Sequence, residues 1–116
     1  MSRTDAGSVA TRILQGWTTG DFDTVRSLIH DDVTFVGPLG TTDGAEEFVA
    51  GLQRMTEMVK SAEVQQVIVD GEHVCVIYDL ITETSAGTVP TAGWYQVRDG
   101  RLAAQRVYFD PRPLLH

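Results

Sequence analysis

Asp79 is the only charged residue between Val74 and Thr82, inside "VCVIYDLIT", the most apolar stretch of the chain. A carboxylate in such surroundings must be paired, shift its pKa or sit at a wet cavity. In a water-poor pocket it would serve as an acid/base, passing a proton to and from a bound ring with help from Gln105 or Tyr95. The competing reading is an outward Asp79 on a partly exposed face or in a subunit interface. Strand parity leaves both open, because a bulge would exchange Tyr78 and Asp79 between faces.

Other reactive residues have simpler explanations. Asp31 and Asp32, adjacent in "HDDV", suit a helix-to-strand corner as turn caps. Cys75, the only cysteine, precludes an internal disulfide. It lies in an apolar strand with no basic neighbour in sequence, which describes a buried, inert thiol. His30, His73 and His116 are far apart and at no metal-ligand spacing, so no metal and no cofactor is expected. Phosphate-loop and nucleophile-elbow motifs are missing.

The elements that must position these groups follow from periodicity. Val9, Ile13, Leu14 and Trp17 form a helical stripe, which predicts a helix over 8–19 capped by Ser8 and ended by Gly20. Residues 1–7 read as a loose tail. Asp21 caps a second predicted helix over 21–29. A short strand follows at 32–36. Asp43 opens a third helix over 43–59, with Glu46 near a capping box and Ala45, Phe48, Val49, Leu52, Met55 and Val59 at steps of three and four. Beyond residue 62 the pattern is strand, at 63–70, 72–84, 88–98 and 101–110. Asp70-Gly71 and Asp99-Gly100 are hairpin signals. In the last strand Gln105, Val107 and Phe109 share one face and Arg106, Tyr108 and Asp110 the other. The first set is expected to meet the helices, because Arg106 is costly to bury. Helices grouped before a sheet make an α+β domain.

With 116 residues the chain is one domain with room for a real core. Nine scattered basic residues against sixteen acidic ones, a net charge of −7, argue against nucleic-acid binding. The longest apolar run, "VCVIY", is too short for a bilayer. "MSRTDAGS" has no apolar h-region. A cytoplasmic protein with no membrane partner is the expectation.

Three stretches, "GDFDTVRSLIHDDVTFVGPLG", "GAEEFVAGLQRM" and "GWYQVRDGRLAAQRVYFDP", resemble the SnoaL-like group of the nuclear transport factor 2-like superfamily. Ketosteroid isomerase, limonene epoxide hydrolase and polyketide cyclases belong to that superfamily. The resemblance implies a cone: a curved antiparallel sheet wrapped around three N-terminal helices, with an apolar cavity inside and dimers joined through the sheet. It also exposes what is missing. The isomerase base, in the pattern VxDPxG, falls on Gly37. Its tyrosine falls near Ile13 and its second aspartate near Gly93. The hydrolase's water-activating aspartate falls on Val107, and its arginine on Ile77 if Asp79 matches its other aspartate. "VPTAG" is similar to a short stretch of the cyclases.

The chain is therefore expected to keep a pocket and lose the known chemistries. The expected lining is Trp17, Phe35, Gly37, Leu39, Phe48, Leu52, Met55, Gly93, Tyr95, Gln105, Val107 and Phe109, with Gly37 and Gly93 enlarging the space. The expected ligand is a small apolar cyclic molecule, and strongly anionic ligands are expected to bind poorly. Acid/base catalysis through Asp79, binding alone and a surface interaction module all stay open. Trp94 and Tyr108 on the outer sheet face suggest a homodimer.

Overall fold

The computed structural model describes residues 5–115. The first helix, α1, spans Ala6–Thr19. It starts earlier than Ser8 because the Asp5 carboxylate accepts the Gly7 N–H at 3.0 Å and so caps the first turn. The expected tail thus shrinks at its inner end, and residues 1–4 lie outside the described residues, as does His116. Val9, Ala10, Ile13, Leu14 and Trp17 are all buried. Gly20, at φ 85°, ends the helix and donates to the Gly16 and Trp17 carbonyls.

Asp21 caps α2, Phe22–Ser27, accepting the Thr24 N–H and hydroxyl at 3.2 and 2.7 Å. This helix is shorter than the sequence pattern predicts. Leu28 and Ile29 leave it to pair with the last strand, where the Leu102 N–H donates to the Leu28 carbonyl. The first strand, β1, consequently runs Ile29–Gly37, through a bulge at "HDD". A strand absent from the sequence reading, β2 (Gly40–Asp43), folds back on β1 around Pro38-Leu39. Asp43 therefore belongs to β2, and α3 is confined to Ala45–Thr56. No side chain caps it at Gly44. Glu47 instead reaches back to accept the Asp43 N–H at 3.0 Å.

The remaining strands are β3 (Val59–Asp70), β4 (His73–Thr82), β5 (Thr88–Arg98) and β6 (Arg101–Tyr108). The sheet order is β2-β1-β6-β5-β4-β3. All pairs are antiparallel except β1 with β6, which is parallel. The curved sheet is thus mostly antiparallel, as expected, with one parallel pair that the sequence pattern does not announce. A parallel neighbour needs a long crossover, and α3 with the β3–β5 meander supplies it. At Asp99-Gly100 both residues have positive φ, 54° and 78°, as a tight hairpin of matching twist requires.

Register breaks in β3, between β5 and β6, and in β1 bend the sheet. Its concave face receives the helices, with α1 against β3 and β4 and α3 against β1 and β2. The product is the expected α+β cone. Among the described residues no helix is long and apolar enough to cross a membrane.

Two glycines admit aromatic rings to the concave face. A Cβ on Gly93 would stand 3.0 Å from the Tyr95 ring, and one on Gly37 3.0 Å from the Phe35 ring. In both cases the ring two residues away on the same face lies over the glycine. Gly93→Ala is expected to destabilise the fold by about 1–3 kcal/mol, the usual penalty for overpacking a tight core, read as a lower midpoint in urea. An unchanged midpoint would contradict this packing.

Candidate functional site

A cavity of about 370 Å³ opens between α1, α3 and the concave sheet, with the β1–β2 hairpin at its mouth. Trp17 of α1 lines one side, and Phe48, Leu52 and Met55 come from α3. Phe35, Gly37 and Leu39 belong to β1 and its turn, and Gln105, Val107 and Phe109 to the last strand and its exit. Phe35 and Phe48 meet edge to face, with centroids 6.1 Å apart.

Gly93 and Tyr95 do not line the cavity. Tyr95 is fully buried, and its ring takes the space that Gly93 leaves. Gly93 thus makes room for core rather than for ligand. Gly37 is likewise occupied from one side by Phe35, although it reaches the cavity edge.

Asp79 is on the other side of the sheet. In β4 the inward residues are Val74, Val76, Tyr78, Leu80 and Thr82, all buried. The β4–β5 ladder is continuous from His73 to Ile81, and the bulges fall in β3, so nothing shifts the parity. Tyr78 therefore faces the cavity, and Asp79 accepts a hydrogen bond from Gln65 at 3.2 Å on the half-exposed outer face. Glu63 stands opposite it in the ladder. As the expected acid/base, Asp79 has no access to the pocket. Asp31 and Asp32 are exposed, in ion pairs with Arg26 at 2.6 Å and Arg98 at 3.8 Å. Cys75 is half-buried on the outer face. Among the described residues no three His, Cys, Asp or Glu side chains gather as a metal site would require.

The sequence leaves Tyr78 open against Asp79, and it does not point to Leu80, Thr91, Met58, Gly51, Arg54, Pro38 or residues 40–42 as lining. The alternation from Val74 to Thr82 was the available signal for Tyr78 and Leu80. Arg54 is the cation among the described lining residues. It is exposed at the mouth, and no salt bridge among the described residues engages it.

Among the described residues the lining offers two titratable groups, Arg54 and Tyr78. Burial raises the Tyr78 phenol far above the ordinary tyrosine value. Tyr95 is raised too, by burial first and then by Tyr78 and Cys75. Both are neutral hydrogen-bonding groups at ordinary pH. Three buried polar atoms have no hydrogen-bond partner among the described residues: Gln105 Oε1, Thr42 Oγ1 and the Tyr95 hydroxyl. An unpaired buried acceptor or donor costs roughly 1–3 kcal/mol. The first two belong to cavity-lining residues.

The match to the SnoaL-like domain covers residues 10–105, and the chain belongs to that family. A nuclear transport factor 2-like protein of unknown function from Cytophaga hutchinsonii superposes with a TM-score of 0.85 at 25% identity, covering 99% of this chain and 98% of that one. A de novo designed protein with a curved β-sheet gives 0.84 at 24%, covering 97% and 90%. An LEH-like epoxide hydrolase of Mycobacterium tuberculosis gives 0.79 at 24%, covering 95% and 86%. No curated protein matches the sequence significantly. The fold is thus the cone of the nuclear transport factor 2-like proteins, which a designed chain shares with an enzyme. Function must be read from the site.

The two raised phenols generate a pH dependence. The unfolded chain loses its tyrosine protons near pH 10, whereas the native state holds those of Tyr78 and Tyr95 longer. The native state then binds more protons than the unfolded one, so stability falls as pH rises above about 10. Tyr78→Phe is expected to weaken that fall, measured by urea denaturation across alkaline pH. Reversible ionisation of Tyr78 at the ordinary tyrosine value within the native fold would contradict the enclosure.

Proposed function

We propose that the chain binds a small apolar ring compound in the cavity and performs no proton-abstraction chemistry on it through a side-chain carboxylate. The observation carrying this reading is the lining itself. Aromatic, aliphatic and methionine side chains dominate it, and among the described residues no carboxylate, imidazole or thiol lines it. The volume is in the range of small-molecule sites. A bicyclic ring that buries about 150–250 Å² would gain roughly 4–6 kcal/mol at about 25 cal/mol per Å². This corresponds to a Kd between about millimolar and tens of micromolar.

Gly51 permits a clean block. It lines the cavity from α3 without a positive φ, and a Cβ there would make only ordinary contacts with Thr42 and Arg54, at 3.7 and 3.8 Å. Gly51→Phe would put a ring into the mouth while improving helix propensity. The expected outcome is loss of naphthol binding by tenfold or more with no fall in Tm, followed by Trp17 fluorescence and thermal shift. Asp79→Asn is expected to leave naphthol affinity within about twofold. Unaltered naphthol affinity in Gly51→Phe would refute the cavity as the site.

We also propose a homodimer through the outer sheet face. Ile68, Ile77, Trp94 and Tyr108 are exposed there on neighbouring strands, around a shallow concavity that includes Cys75 and Ala92. A patch of this kind supports an interface, and a second copy of the same face would cover it in a two-fold arrangement. Light scattering is expected to give twice the 12.7 kDa of one chain, and Trp94→Arg to return the mass of one. A wild-type mass of one chain at micromolar concentration would end this reading.

A further inference from the structure

The strands β4, β5 and β6 each send one polar side chain to the cavity: Tyr78, Thr91 and Gln105. The Thr91 hydroxyl donates to the Val89 carbonyl at 3.0 Å. The Gln105 carbonyl oxygen is enclosed and does not open to the cavity, and Thr42 Oγ1 is closed off in the same way. Tyr78 differs from these. The residue is only 3% exposed, yet its hydroxyl is not among the enclosed, unpartnered atoms, as the Tyr95 hydroxyl is. Burial alone raises its pKa, and no hydrogen bond contributes. An oxygen that is neither enclosed nor hydrogen-bonded keeps a face open. In a buried residue that lines the cavity, that face opens to the cavity.

A phenol offers one donor hydrogen and one accepting oxygen. Burial keeps the Tyr78 proton in place at ordinary pH, so the group presents O–H and not phenolate. Among the described lining residues no carboxylate or imidazole is present to accept that hydrogen, and the Gln105 and Thr42 oxygens are shut away. A wholly apolar ring seated in the cavity would exclude water from the O–H and leave it unpaired, which costs affinity. A ring that brings its own acceptor restores the bond. The site thus selects by a penalty on the wrong ligand as well as by a bond to the right one.

We propose that Tyr78 is the specificity-determining residue of the cavity and donates its O–H to a neutral acceptor, an aryl carbonyl or its equivalent, on the buried end of the ligand. This rests on the cavity being the ring-binding site, and it adds the polar group the ring must bring and the residue that reads it. The acceptor is neutral because an anion set beside a buried phenol would lose its hydration without a counter-charge. Arg54, the cation of the described lining, is exposed at the mouth.

Two probes with the same ring and a two-carbon arm test it, acetonaphthone and ethylnaphthalene, each measured by displacement of bound naphthol. Tyr78→Phe is expected to weaken acetonaphthone about three- to tenfold, the yield of one hydrogen bond, and to leave ethylnaphthalene unchanged or tighter. Tm should not fall, since the hydroxyl bonds to nothing in the described protein. In wild type the carbonyl stretch of bound acetonaphthone is expected at lower wavenumber than in an alkane, and in Tyr78→Phe at the alkane value. Should Tyr78→Phe fail to fold, 3-fluorotyrosine in place of tyrosine carries the test. Tyr95 is enclosed and Tyr108 is on the outer face, so a further carbonyl shift from the more acidic phenol reports Tyr78. Equal effects of Tyr78→Phe on both probes, an alkane-like stretch in wild type, or a shifted stretch that survives in Tyr78→Phe overturns this inference and leaves the apolar cavity standing. So does an acetonaphthone that fails to displace naphthol. Failure of naphthol itself to bind overturns the cavity reading and this inference with it.

Discussion

Everything in this molecule depends on the curvature of one sheet. Bulges in β1, β3 and between β5 and β6 bend it, and a bent sheet has a concave face that must be covered by apolar matter. The helices cover that face unevenly. α1 carries a continuous stripe from Val9 to Trp17 and seals the β3–β4 end, whereas α3 is shorter and leans on β1 and β2. Between them the cover is incomplete, and the gap is the cavity. Among the described residues no helix lies on the convex face, and Trp94, Tyr108, Ile68 and Ile77 stand exposed there. The core, the cavity and the outer patch are three consequences of the same bend.

The cavity departs from the rule that interiors satisfy their polar groups. Most buried polar atoms find partners, and here Thr82, Thr91 and Thr56 do so through nearby backbone carbonyls. Gln105 and Thr42 do not. Keeping an amide where an aliphatic group is more stable is the kind of local conflict that accompanies function. The fold's occurrence in a designed protein and in an epoxide hydrolase underlines that such details, and not the cone, separate one activity from another.

Much of this architecture is legible in the sequence because periodicity is strong where burial is strong. The α1 stripe, the β4–β6 strands and the Asp99-Gly100 turn are all readable from spacing. The errors fall where local signals compete with pairing. Leu28 and Ile29 continue a helical pattern, yet the ladder with Leu102 draws them into β1. "GTTD" is too short and too polar to announce a strand, and it pairs because Pro38-Leu39 turns it onto Thr34–Gly37. Most of the apolar lining follows from the family resemblance and the cone it implies, but Gly93 and Tyr95 are misplaced, because one-dimensional pattern cannot show a ring lying over a glycine. Asp79 illustrates the same limit. Its apolar neighbours mark it as unusual, and only an unbroken β4–β5 ladder reveals that Tyr78 and Leu80 face inward while Asp79 stands on the outer face.

The central claim is that the gap under α3, and not the outer face, is where an apolar ring goes. Methyl-resolved NMR tests it directly. With naphthol bound, intermolecular NOEs are expected to the Met55, Met58 and Leu80 methyls, which line the cavity, and not to Ile68 or Ile77 on the convex face. NOEs confined to Ile68 and Ile77 would contradict the account and place the ligand between subunits.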